Sequence, residues 1–177
     1  REAFAARVLG MVLADGVGWR GVMGSLISDR QLARVQQHVD DAVSRGARVV
    51  VGGSARPDIG PFAFEPTVLE GVTPAMLISH EETFGPVAGI TRFETEEEAI
   101  RVANETVYGL AAYFHTRDYA RLLRVAEKLQ YGIVGANSGI ISAANAPFGG
   151  VKESGYGREG GAFGIDEYVD VKYVLVG

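Results

Sequence analysis

Two stretches of this chain bring together residue types that could do chemistry. The first is Glu81-Glu82-Thr83-Phe84-Gly85-Pro86. An acidic side chain in a loop before a strand can accept hydrogen bonds from sugar hydroxyls, and a neighbouring phenylalanine can offer a flat apolar wall to a ring. Taken alone, the same residues read first as a solvated acidic turn with Phe84 in the core, because surface carboxylates are common. The second stretch, Gly132 to Gly164, is rich in glycine. Ile133-Val134-Gly135-Ala136 reads as a buried strand that opens into an irregular loop, where binding and catalytic groups commonly sit. Asn137 and Ser142 could donate hydrogen bonds there, and Phe148, between Pro147 and Gly149, could line a pocket. On composition alone the stretch is a Gly-rich surface loop.

The remaining candidates are weaker. His38 falls on the polar face of a helix and reads as solvated. His80 neighbours Glu81 and Glu82, and His115 ends a strand without an evident partner. No pair of histidines has the spacing of a metal site. Lys152, Arg158 and Glu159 read as structural ion pairs. Gly155-Tyr156-Gly157-Arg158-Glu159-Gly160 fits G-x-G-x-x-G, but that fingerprint needs a strand before it, a helix after it and an acid about 20 residues on. Val151 to Ser154 is a poor strand, so the match is rejected. Tyr168-x-x-x-Lys172 imitates a reductase dyad but lies in a strand-like segment. There is no cysteine, which excludes disulfides, thiolate metal sites and a cysteine nucleophile within these residues.

Hydrophobic periodicity supplies the elements that position these groups. A helix is expected over Glu2–Ala14, with Phe4, Val8, Leu9, Met11 and Val12 on one face, ended by Asp15-Gly16-Val17-Gly18. Ser28 with Gln31 forms a capping box for a helix that buries Leu32, Val35, Val39, Ala42 and Val43, with Gly46 after its end. Arg48–Val51 reads as a buried strand, Pro66–Val72 as an edge strand and Val87–Phe93 as another. Thr95 and Glu98 cap a helix whose Ala99, Ile100 and Ala103 face inward. Leu110–Phe114 is a strand. Asp118 or Thr116 caps a further helix, with Tyr119, Leu122, Leu123, Ala126 and Leu129 inward. Tyr168–Val176 reads as a last strand. Alternating strands and helices indicate an α/β fold with a mostly parallel sheet.

The chain has 177 residues, 47% of them hydrophobic, enough for one globular core. The net charge of −5 and the lack of a basic stripe argue against nucleic acid. No apolar run matches a membrane span, and no signal-peptide pattern is present, so the cytoplasm is the expected compartment. The chain starts at Arg1 without an initiator Met and reads as part of a longer one. Asn104-Glu105-Thr106 is a formal glycosylation sequon and reads as chance.

Taken together, Glu81-Glu82-Thr83-Phe84-Gly85-Pro86 and Pro147-Phe148-Gly149-Gly150-Val151-Lys152-Glu153-Ser154-Gly155-Tyr156-Gly157-Arg158-Glu159-Gly160 resemble, in order and spacing, signature stretches of the carboxy-terminal part of NAD(P)-dependent aldehyde dehydrogenases. The resemblance covers essentially the whole chain. Phe93 to Ile100, Asn137 to Ser142, and Gly164 to Tyr168 with Lys172-Tyr173 are most similar to succinate-semialdehyde dehydrogenases; glutarate-semialdehyde dehydrogenases also fit. Gly24-Ser25-Leu26-Ile27 departs from the family, which usually has proline at the second place.

The resemblance implies a partial catalytic domain over 1–166, an α/β fold with a mostly parallel sheet flanked by helices, and a carboxy-terminal oligomerisation strand over 167–177. It implies NAD or NADP as cofactor, a small-molecule aldehyde as substrate, and a homodimer or homotetramer. Glu82 would hold the nicotinamide ribose hydroxyls and Phe84 would pack by the nicotinamide. Ser142 would bond the distal carboxylate of a semialdehyde, and Phe148 would line the aldehyde channel. The family's cysteine nucleophile, its base and a substrate-binding arginine would lie upstream of Arg1, leaving these residues inactive alone. Other aldehydes, or a truncated non-enzymatic assembly domain, are the alternatives.

Overall fold

The computed structural model describes residues 1–14 and 21–177. The turn expected at Asp15-Gly16-Val17-Gly18 lies outside the described residues. The chain divides into two compact units, Arg1–Arg92 and Phe93–Gly177.

In the first unit, α1 (Glu2–Leu9) is shorter than its apolar pattern predicts. Only Val8 is buried; Phe4, Leu9, Met11 and Val12 are exposed. Backbone pairing with a later segment replaces the final helical turn. Val22 N–H donates to Val12 O at 2.9 Å, and Ala14 N–H to Met23 O at 3.1 Å. Helix α2 (Asp29–Ser44) starts as expected, with Ser28 Oγ accepting from Gln31 N–H at 3.2 Å. Gly46, at φ +99, takes the left-handed position after its end. Val35, Val39 and Ala42 bury a stripe of α2 against Phe64, Leu69 and Met76, while Val43 is exposed.

Three strands complete this unit: β1 (Arg48–Val51), β2 (Thr67–Glu70) and β3 (Val87–Ile90). Their order is β1-β2-β3, with β1 antiparallel and β3 parallel to β2. So β2 is central, not the edge strand that its proline implied. Pro66 precedes the ladder and withholds no N–H from it, and Thr67 N–H donates to Pro86 O at 2.7 Å. The expected burial of β1 holds at Val51; Arg48 and Val49 are exposed.

In the second unit, α3 (Glu96–Asn104) begins with Thr95 Oγ1 accepting from Glu98 N–H. The Glu98 carboxylate reaches back to Glu94 N–H at 2.8 Å, one residue before the cap. Ala99, Ile100 and Ala103 are half-buried. The side-chain amide of Asn104, the sequon residue, is occupied at both ends, by Lys128 O and by Gln130 N–H. Strand β4 (Ala111–Phe114) lies parallel to β5 (Ile133–Ala136), and α4 (Tyr119–Lys128) joins them. Asp118 is the cap of α4. Val125 and Leu129 face inward, while Tyr119 and Leu123, expected inside, are exposed. At about 100° per residue, turning Val125 and Leu129 inward carries Leu123 to the far side and leaves Tyr119 on the flank of the first turn.

Among the described residues, two of the three strand pairings are parallel, as expected, but the five strands form two ladders rather than one. Tyr168–Val176 is not a strand within this chain. Ala162–Tyr168 is a 3-10 segment, and no described residue pairs with 169–177. Extended chain without a partner leaves its N–H and C=O groups to solvent, and here Val171, Tyr173, Leu175 and Val176 are exposed too. The G-x-G-x-x-G match follows the 3-10 turn Lys152–Ser154 and precedes a 3-10 segment, so its rejection as a dinucleotide fingerprint stands.

Candidate functional site

The loop from Glu81 to Gly85 is held against one side of α2. Gln31, Arg34 and His38, spaced i, i+3, i+7, lie on a common face of that helix. Gln31 Nε2 donates to Thr83 O at 2.6 Å and to Phe84 O at 3.0 Å. Its side chain therefore does not close the capping box that its spacing suggested. Arg34 donates to Glu82 O through Nε and Nη2, at 3.2 and 3.0 Å, and pairs with the Glu81 carboxylate at 3.2 Å. His38 Nδ1 lies 3.0 Å from Thr83 Oγ1, and its Nε2 lies 3.6 Å from Glu81 Oε2. One turn further on, Asp41 Oδ2 accepts from Leu77 N–H at 2.8 Å. That bond, with Arg45 beside it, holds the Asp41 carboxyl below its ordinary range.

His38 is not solvated, as its helical position implied: it is 1% exposed. Burial, with the nearby Arg34 cation, lowers its pKa below 6.5, outweighing the opposite pull of Glu81 and Asp41, so the ring is neutral at pH 7. A carboxylate only accepts, so the proton is assigned to Nε2, which faces Glu81. That leaves Nδ1 to accept from the Thr83 hydroxyl.

Clamped from behind, the loop turns its other side outward. Phe84 is 72% exposed, not in the core. Its φ of +48 lies in the left-handed region, where a non-glycine residue persists only if its surroundings fix it. Glu82 is exposed, and among the described residues its carboxylate takes no hydrogen bond or ion pair. A free carboxylate beside an exposed aromatic face can bind a polyhydroxylated ring bearing a flat heterocycle.

The second stretch behaves differently, because most of its polar groups hold backbone. Asn137, at φ +56 just after β5, donates to Thr116 O and accepts from Thr116 N–H, tying the ends of β4 and β5 together. Lys152, expected in an ion pair, donates to the carbonyls of Asn104 and Thr106, at 2.9 and 3.1 Å. Arg158 donates through Nη1 to the carbonyls of Gly150, Tyr156 and Gly157. Neither cation has an acidic partner among the described residues. Phe148 and Glu159 exchange two backbone hydrogen bonds of 2.7 Å, which fix the main chain that carries the half-buried Phe148 ring. Ser142 is exposed, and its hydroxyl has no partner among the described residues.

Within each unit, then, one pair of expected site residues sits on one loop: Glu82 with Phe84, and Ser142 with Phe148. Sequence reading missed Gln31, Arg34 and His38. Their i, i+3, i+7 spacing beside the apolar stripe was the available signal, but it names no partner 45 to 53 residues away.

The Aldehyde dehydrogenase family matches residues 1–174. The chain belongs to that family. Over 154 residues it is 54% identical to the mitochondrial succinate-semialdehyde dehydrogenase of Homo sapiens, covering 87% of this chain and 29% of that protein. Over 176 residues it is 47% identical to the 3-sulfolactaldehyde dehydrogenase of Pseudomonas putida, covering 99% of this chain and 36% of that one. A crystal structure of succinate-semialdehyde dehydrogenase from Burkholderia pseudomallei superposes with a TM-score of 0.94 at 48% identity, covering 98% of this chain and 36% of that one. This aldehyde dehydrogenase chain spans about a third of the length of the relatives it matches. It holds no cysteine. No helix among its described residues is long and apolar enough to cross a membrane.

Proposed function

We propose that this chain is the carboxy-terminal portion of an enzyme that oxidises succinate semialdehyde to succinate with NAD or NADP. The observation that carries the cofactor half is the Glu82 carboxylate, without a partner among the described residues, beside the outward Phe84 ring. These residues fit the group: Glu82 accepts from the hydroxyls of the nicotinamide ribose, and Phe84 packs by the nicotinamide. The bound cofactor supplies a hydride acceptor. Ser142, whose hydroxyl has no partner among the described residues, donates to the acid group at the far end of the substrate and orients it. Phe148, fixed by its pairing with Glu159, lines the aldehyde's path. The attacking thiolate comes from residues outside this chain. The mitochondrial relatives leave the cytoplasm as an expectation from sequence.

A second reading, another acid-bearing aldehyde, is favoured by the 3-sulfolactaldehyde dehydrogenase relative, which matches 99% of the chain. Glutarate semialdehyde belongs to the same chemical class.

Two substitutions in the complete enzyme test the two halves separately. Glu82→Gln is expected to weaken cofactor binding roughly tenfold or more, the loss of hydrogen bonds to a charged group, with the aldehyde KM little changed. Ser142→Ala is expected to raise the KM for succinate semialdehyde roughly tenfold and to leave butanal, which lacks the acid group, unaffected. Unchanged cofactor affinity in the first removes the ribose role. An equal loss for both aldehydes in the second removes the carboxylate role. The 177 residues alone, without a thiol, are expected to reduce no NAD or NADP in the presence of the semialdehyde.

A further inference from the structure

We propose that His38 is a positioning residue that, through its contact with Thr83, fixes the backbone presenting Glu82 and Phe84. The proposal rests on the reading of those two residues as cofactor-binding.

Three side chains on one face of α2 each hold a different part of the loop. Arg34 holds the Glu82 carbonyl and the Glu81 carboxylate, and Gln31 holds the Thr83 and Phe84 carbonyls. His38 holds the Thr83 side chain at 3.0 Å. It is the only one of the three that is buried, and a buried polar ring is stable there only while its nitrogens are satisfied. Arg34 and Asp41 on α2, and Glu81 on the loop, are the charged groups around it. At positions 82 to 84, Arg34 and Gln31 grip only carbonyls, which every residue possesses; the side-chain contact of Arg34 is to Glu81. His38 grips a side-chain hydroxyl, which at position 83 only threonine or serine could supply. Its contact therefore sets which rotation of the Thr83 backbone is favoured. The residue on one side of Thr83 is Glu82, and on the other is Phe84 in its left-handed conformation. Releasing Thr83 removes one of the constraints that hold that conformation.

The test uses Thr83→Val, His38→Leu and His38→Asn in the complete enzyme, with cofactor affinity read by direct titration and aldehyde KM by steady-state kinetics. Thr83→Val keeps the shape and loses the hydroxyl; the amide of His38→Asn occupies the place of Nδ1. Thr83→Val and His38→Leu are each expected to weaken cofactor binding about fivefold, with aldehyde KM within about twofold. The double variant is expected to be no worse than either single one, and His38→Asn to recover most of the loss. Wild-type cofactor affinity in Thr83→Val overturns the proposal, and so do additive losses in the double variant. A purely structural His38 would lower thermal stability in both His38 variants without this cofactor-specific split. If His38→Leu does not fold, Thr83→Val decides. Glu82→Gln separates the two readings. If it weakens cofactor binding while Thr83→Val does not, only the positioning role falls. If neither changes affinity, the cofactor reading falls with it.

Discussion

Gly85 sits where a methyl group would lie 2.3 Å from Cγ2 of Val35, a side chain with no solvent exposure. The loop that carries Phe84 can approach α2 this closely because position 85 has no Cβ. Gly85→Ala is therefore expected to cost about 1–3 kcal/mol of stability, the range for overpacking a well-filled core. Urea unfolding measures it. Combining it with Val35→Ala, which makes room, should cost less than the sum of the two single changes, because the residues touch. Full additivity would show that the loop does not pack against α2 in solution. At the same scale, Thr83 and Gln31 show how a residue's work can differ from its pattern. Gln31 fits a capping box by spacing, yet its amide binds a loop 52 residues later.

At the scale of elements, α3 and α4 are joined by one carboxylate. Glu96, in the first turn of α3, pairs with Arg121 at 2.9 Å and Arg124 at 2.6 Å on α4. The Arg124 and Arg121 hydrogen bonds and charges, acting against partial burial, lower its pKa from 4.5 to about 2. A carboxylate whose folded pKa is depressed binds fewer protons folded than unfolded between those values. Its stabilising contribution is present above pH 4.5 and is lost as the pH falls toward about 2. Glu96→Gln should therefore be less stable than the wild type at pH 7, with the gap closing across that window in thermal or urea melts. A gap that is constant with pH would mean that the pair contributes nothing through charge. The β4–β5 ladder is secured in another way. A Cβ on Gly132 would lie 1.9 Å from Gly149 O, so the glycine-rich loop crosses the start of β5 backbone to backbone.

For the whole molecule, the segment after Tyr168 is the part with unmet bonding capacity. It presents Val171, Tyr173, Val174, Leu175 and Val176 to solvent, with no strand partner among the described residues. We propose that residues 167–177 pair with a second copy of the enzyme, as the resemblance to its family implied, giving a homodimer or homotetramer. Removing 169–177 from the complete enzyme is expected to lower the number of subunits seen by analytical ultracentrifugation. An unchanged assembly would end that reading.

What the sequence determined by itself was local. The Ser28 and Thr95 caps follow from short-range hydrogen-bonding chemistry, and both are in place; of the two candidates at α4, Asp118 and Thr116, the structure selects Asp118. Strands β1, β4 and β5 were legible because short apolar runs of three or four residues between turn signals have few other uses. The family was legible because two long motifs keep their order and spacing, which reaches further than any single residue. The tertiary structure decided everything that needed a distant partner. It made β2 central, shortened α1 through pairing with residues 22 and 23, and left the last segment without a ladder among the described residues. It buried His38, turned Phe84 outward, and gave Lys152 and Arg158 carbonyls instead of acids. The physical reason is common to all of these. Periodicity records which side of an element is apolar, whereas the identity of a hydrogen-bonding partner depends on what the folded chain brings alongside.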